Sequence, residues 1–207
     1  MPRRLRVPLL ASLHGTHLDV LTTSWHTDFA LTRPLGMARF AAVAAQMLVN
    51  YAARDLWFIR AADRLIATSD ADPWKYKTLY RVPAAKIRTV YNGINARLFA
   101  PDARGMADLR RKLGIGADEQ VILALARLQK DKGVQNAIAV LPRVLEQFRA
   151  TLIVVGDGDY RAALEAQARA LNVAKSVRFV GAQTLERCAR YFNLCDVFVD
   201  PTLRTDG

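Results

Sequence analysis

Arg127, Lys130 and Lys132 follow one another closely, directly behind the apolar run from Val121 to Ala126. Such a set can clamp an anion, arginine as a planar fork of donors and lysine as a point charge. Gly133 comes next and opens a helical spacing of Val134, Ala137, Ile138, Val140 and Leu141. The cations thus lie between a strand's carboxyl end and a helix's amino end, where open α/β sheets bind ligands. The free N–H groups and partial positive charge of a helix start favour the same chemistry. The ligand class this points to is anionic and phosphorylated. A solvated basic loop would use the same residues, and composition does not separate the two readings.

Gly156-Asp157-Gly158 also joins an apolar strand to a helical pattern. Glycines there let backbone approach a ligand closely, although tight strand-to-helix turns use glycine for their own geometry. His14-Gly15-Thr16 ends the first apolar run, so His14 is either a contact to a sugar or phosphate or an ordinary loop histidine. His14, His17, Asp19, His26 and Asp28 do not have the spacing of a compact metal site, and no metal is expected. No Ser-His-Asp arrangement is present. Asn92-Gly93 is a turn signal, with Phe99 a hydrophobic anchor beyond it.

The elements that must carry these residues alternate. In the first half, apolar runs at Val7–Leu13, Leu65–Thr68 and Ile87–Tyr91 predict strands, with a long helix from Leu35 to Ala62 between the first two. A helix is expected over Asp70–Tyr80, with Ser69 as its N-cap. Residues 100–106 form a polar break containing Pro101 and Gly105, placing a domain boundary between 1–100 and 101–207. Beyond it, strands at Val121–Ala126, Leu152–Val155, Val177–Val180 and Val197–Val199 alternate with helices near 134–148, 160–171 and 184–193. Unbroken apolar strands alternating with helices predict an α/β fold with a parallel sheet covered on both faces.

Bulk properties narrow the classes. The 207 residues carry a net charge of +11. Residues 1–100 hold 14 Lys and Arg against 6 Asp and Glu, so the basic excess belongs to the first half. Anionic lipid headgroups and phosphorylated acceptors suit that charge. The basic residues are scattered and the aromatics form no stacking platform, which argues against nucleic acid. No apolar run has the roughly 18 residues a membrane span needs. Pro8 interrupts the apolar part of the amino terminus and no small-residue cleavage site follows, so a strand is expected there rather than a signal peptide. Cys188 and Cys195 have neither disulfide nor metal spacing and are expected as buried free thiols in a reducing cytoplasm.

In sequence order these segments resemble glycosyltransferase family 4, retaining nucleotide-sugar transferases of the GT-B fold. ADRLIATS resembles the family's ADxIIAxS, and KIRTVYNGINARLFAP resembles KIxVIxNGVDxxxFxP. VILALARLQKDKGV resembles VxLxVGRLxxxKGV, LIVVGDGDYRAALEAQA resembles LxIVGDGPxxxxLE, and VRFVGAQTLERCARYFNLCDVFVDPT resembles VxFxGxxxxxxLxxxYxxADVFVxPS. The resemblance implies two Rossmann-like domains, both incomplete, with the acceptor on the amino-terminal side and the donor on the carboxyl-terminal side. It implies that Arg127 and Lys132 bind the donor diphosphate and that Gly156, Asp157 and Gly158 flank the nucleotide. His14 matches the family's catalytic cleft histidine, and Asn92 and Gly93 its cleft loop.

The reaction implied is sugar transfer with retention from a nucleoside-diphosphate sugar to a lipid-linked or polysaccharide acceptor. No divalent metal or other cofactor is implied. Such an enzyme would be cytoplasmic, or peripheral on the inner face of the membrane in contact with its anionic surface. Ala126 stands where the family usually has glycine, Asn95 where it has aspartate, and Thr202 where it has serine. The family's glycine-rich first strand–loop is expected before Met1, and its two-glutamate motif after Gly207. A non-catalytic nucleotide- or anion-binding module, or a degenerate relic of such an enzyme, is the alternative.

Overall fold

The computed structural model describes residues 8–13 and 34–202. They fall into two compact α/β units that divide between Gly93 and Ile94. The first carries a parallel sheet in the order β1-β2-β3, formed by Leu10–Leu13, Arg64–Ala67 and Ile87–Thr89. Its crossovers use α1 (Pro34–Asn50), a π-helical turn at Tyr51–Asp55, α2 (Leu56–Ala61) and α3 (Asp72–Thr78). Ile59, Ala62, Leu65, Tyr76, Tyr80 and Val82 form its core. Tyr80 meets Tyr51 edge-on with ring centroids 5.2 Å apart, and the Tyr51 hydroxyl donates to the Leu79 carbonyl at 2.6 Å.

The second unit carries four parallel strands in the order β6-β5-β4-β7. These are β4 (Gln120–Leu125), β5 (Ala150–Val155), β6 (Val177–Gly181) and β7 (Val197–Phe198). Four helices accompany them: α4 (Met106–Lys112), α5 (Val134–Leu145), α6 (Arg161–Ala170) and α7 (Leu185–Leu194). Every residue of β5 is buried, the pattern of a central strand. The two-residue alternation of a strand divides the core cleanly. Ala124, Leu152 and Val154 face the cluster of α5 and α6, while Val121, Leu123, Ile153 and Val155 face that of α4 and α7.

Four expectations shift. The third helix begins at Asp72, not Asp70, and Ser69 does not cap it. The Ser69 hydroxyl instead donates to the Asp72 carboxylate at 3.0 Å, leaving Pro73 to set the first turn. The turn expected at Asn92-Gly93 forms later, where the Asn95 side-chain oxygen accepts the N–H groups of Arg97 and Leu98 at 3.2 Å each. Phe99 then anchors the segment on Phe192, with centroids 5.9 Å apart. The strand expected at Val197–Val199 pairs over Val197 and Phe198 only, and both remain half-exposed because β7 is an edge. Cys188 and Cys195 are free but half-buried rather than buried, and burial raises both thiol pKa values.

Candidate functional site

The chain steps from β4 to β5 to β6 in one direction, then returns to place β7 on the other side of β4. The topological switch point therefore lies between β4 and β7, where a doubly wound sheet opens a crevice at its carboxyl edge. Ala126 to Gly133 emerges there from β4, and Val199 to Thr202 from β7.

Backbone packing fixes the first of these segments. The Ala126 N–H donates to the Val155 carbonyl at 3.1 Å, and the Leu128 N–H to the Asp157 carbonyl at 3.0 Å. The Leu128 carbonyl in turn accepts the Tyr160 N–H at 3.0 Å, and the Leu128 side chain is fully buried. The Ala126 methyl packs against the α5–α6 core. With both neighbours pinned, Arg127 is left exposed. Lys130–Lys132 then form a 3-10 turn that ends at Gly133, whose φ of +68° starts α5.

The glycines have a packing reason. A Cβ on Gly156 would lie 1.9 Å from the Ala126 carbonyl oxygen, and one on Gly158 2.5 Å from that of Leu128. A Cβ on Gly133 would lie 1.8 Å from the Pro201 carbonyl oxygen. The loops after β4, β5 and β7 therefore interlock through their main chains. Asp157 is exposed; its carboxylate accepts the Gly158 N–H at 2.9 Å and lies 3.7 Å from the Arg161 guanidinium. Arg161 also donates to Glu165 at 2.9 Å, a bond that raises its pKa.

Arg127 and Lys132 have no carboxylate within ion-pair distance among the described residues. Two uncompensated cations thus border the start of α5, whose first N–H groups lack intrahelical acceptors. That set can bind a multiply charged anion. No group of His, Cys, Asp and Glu suited to a metal occurs among the described residues.

In the amino-terminal unit, Asn92 and Gly93 follow β3 and are exposed. The Tyr91 hydroxyl donates to the Asp70 carboxylate, tying the β2 and β3 exits together. That bond raises the Tyr91 pKa, with burial and the Asp70 charge adding to it. His14 lies outside the described residues.

Sequence reasoning missed three positioning residues. Leu128 fastens the cationic loop, Pro201 covers Gly133, and Asp196 accepts the Val121 N–H at 2.7 Å to hold β7 against β4. Only Leu128 left a signal, as an apolar residue between Arg127 and Gln129.

The family Glycosyltransferase Family 4 matches residues 1–98, and Glycosyl transferases group 1 matches residues 106–205. The alpha-monoglucosyldiacylglycerol synthase of Streptococcus pneumoniae is 28% identical over 210 residues, covering 99% of this chain and 44% of that protein. A GDP-mannose-dependent alpha-(1-6)-phosphatidylinositol monomannoside mannosyltransferase of Mycobacterium tuberculosis is 31% identical over 126 residues, covering 60% of this chain and 32% of its own length. The chain thus spans less than half the length of these relatives. Among solved structures, sucrose-phosphate synthase from Thermosynechococcus elongatus superimposes with a TM-score of 0.70 at 21% identity, covering 97% of this chain and 46% of its own. Anabaena Alr3699/HepE in complex with UDP and glucose gives 0.67 at 24%, covering 94% and 46%. These likenesses show the fold, an α/β chain with two parallel sheets of the GT-B type. With both halves matched in order, the chain belongs to the glycosyltransferases that join a family 4 amino-terminal segment to a group 1 carboxyl-terminal segment.

Proposed function

We propose that the second unit binds the diphosphate of a nucleoside-diphosphate sugar and that the protein transfers this sugar, with retention, to a lipid-linked or polysaccharide acceptor. The observation that carries the reading is the uncompensated pair Arg127 and Lys132 at the β4–β7 switch point. As the glycosidic bond breaks, negative charge grows on the leaving diphosphate. Fixed cations stabilise that charge more in the transition state than in the ground state, which lowers the barrier. Side-chain cations and the α5 amino end carry this role without a divalent metal. In the same reading Gly156, Asp157 and Gly158 flank the nucleotide, and His14, Asn92 and Gly93 belong to the acceptor side.

By their names, the Streptococcus relative makes a monoglucosyldiacylglycerol and the Mycobacterium relative mannosylates a phosphatidylinositol monomannoside, and the HepE structure holds UDP and glucose. These support a lipid acceptor and a nucleotide donor here. No helix among the described residues is long and apolar enough to cross a membrane. Contact with an anionic membrane surface, from the cytoplasmic side, fits the basic first half. It also fits Leu48, Val49, Trp57 and Phe58 of the α1–α2 run, which are exposed.

Calorimetric titration with UDP, GDP and ADP tests the donor assignment. At least one should bind saturably, and Arg127→Ala should weaken it about tenfold or more without lowering the melting temperature. Affinity unchanged by Arg127→Ala and Lys132→Ala would remove the assignment.

A further inference from the structure

A second cationic site lies in the carboxyl-terminal unit, on the α4–α7 face of the sheet. Leu109 and Lys112 of α4, Gln183 of the β6–α7 loop, and Arg187, Arg190 and Tyr191 of α7 line a pocket of about 220 Å³. None of them belongs to the 126–133 or 156–158 loops. The pocket is smaller than the roughly 300–1,000 Å³ typical of sites for drug-sized ligands, so it suits a small group.

Three cations meet in it without compensation. Arg187 and Arg190 stand one helical turn apart, where like charges repel, and Lys112 faces them from α4. Among the described residues none of the three makes an ion pair. The neighbouring acids are engaged elsewhere. Asp108 pairs with Arg111, and Asp102 takes Arg104 at 2.9 and 3.0 Å, with Arg190 acting on it only at longer range. Glu186 is held by its own backbone N–H and the Thr184 hydroxyl. Among the described residues the Arg187 side chain has only a weak neutral contact, to the Gln183 side-chain oxygen at 3.4 Å.

A hydroxyl on an otherwise buried residue borders the same pocket. Tyr191 is 8% exposed and its ring belongs to the α4–α7 core. Yet its hydroxyl has no hydrogen-bond partner among the described residues. The hydroxyl is not among the fully enclosed polar atoms, so solvent reaches it, and Tyr191 lines the pocket. Burial raises the Tyr191 pKa while Arg187 and Arg190 oppose that rise, so the phenol keeps its proton and both guanidiniums lie near it. A phenol donor that no protein group engages, set among uncompensated cations, matches a tetrahedral dianion. Such a group has enough oxygens to accept from both arginine forks, the lysine and the hydroxyl at once.

We propose that Lys112, Arg187, Arg190 and the Tyr191 hydroxyl form a second anion site that takes the phosphoryl group of a phosphate monoester. It is separate from the donor diphosphate loop and holds or fails independently of it.

The test is titration of the 207-residue chain with inorganic phosphate at constant ionic strength, followed by NMR at the arginine Nε–H groups and tyrosine rings. The expected result is a saturable shift at Arg187, Arg190 and Tyr191. Arg187→Gln with Arg190→Gln should weaken it about tenfold or more, and Tyr191→Phe, which keeps the ring in the core, about threefold to tenfold. Arg127→Ala should leave these signals unchanged. Shifts that rise linearly and match those in chloride would overturn the proposal, as would binding indifferent to both Tyr191→Phe and the double variant. Sedimentation with phosphatidic acid vesicles, lost in the double variant, would identify a lipid headgroup as the source. Binding of glucose 6-phosphate without such sedimentation would identify a soluble monoester.

Discussion

The two sheets finish their carboxyl edges differently. In the carboxyl-terminal unit the exits of β4, β5 and β7 interlock main chain against main chain, and Gly133, Gly156 and Gly158 have no room for a methyl group. In the amino-terminal unit the exits of β2 and β3 are joined through a side-chain bond, Tyr91 to Asp70, and a Cβ on Gly93 would meet nothing within 4 Å. On the proposed reading the carboxyl-terminal unit holds a diphosphate, which is the same whichever sugar it carries, so that site gains from a fixed backbone. On the same reading the amino-terminal unit faces the acceptor, and its side-chain tie can change without altering the sheet.

Substitutions break or sharpen this contrast. Gly133→Ala should have the largest effect. It forces a non-glycine residue to φ +68° and drives its methyl into the Pro201 carbonyl. A loss of about 3 kcal/mol or more is expected, read as a collapsed thermal transition. Arg127→Ala should leave stability within about 0.5 kcal/mol, because the side chain is exposed, while nucleoside diphosphate affinity falls.

Glu119→Gln probes the opposite, amino edge of the same sheet. Burial disfavours the Glu119 carboxylate, but the Thr151 hydroxyl, the Gly116 N–H and the Arg178 and Arg149 guanidiniums outweigh it and hold the pKa below its ordinary 4.5. A pKa depressed by folding adds stability above the unfolded value and loses it as pH falls through the folded one. The variant should therefore melt lower at neutral pH and show a flatter decline in acid, below about pH 4.5. Gly93→Ala should do least, shifting stability within about 0.5 kcal/mol. A large loss there would mean the two edges are built alike.

Much of this was legible in the chain. Val121 to Ala126 followed by Arg127, Lys132 and a helix describes the strand–loop–helix that forms, because apolar runs and helical periodicity are local signals. The family motifs placed the two glycosyltransferase segments in order. The interlocking of Gly156 with Ala126, and of Gly133 with Pro201, was not legible, because it joins residues distant in sequence through backbone atoms common to all residues. The turn signal at Asn92-Gly93 misled because Gly93 does not take a positive φ, and the Asn95 side chain makes the turn instead. The pocket of Lys112, Arg187 and Arg190 escaped notice because α4 follows a polar break and shows little periodicity of its own.

The most direct measurement is an NMR titration of the chain with the nucleoside diphosphate it binds best, following the backbone N–H groups. The account predicts saturable shifts concentrated at Arg127, Lys132, Gly133 and Val134, extending to Gly156 and Gly158 through the interlocked loops. Shifts absent from these residues while others respond would contradict the placement of the donor diphosphate at the β4–β7 switch point.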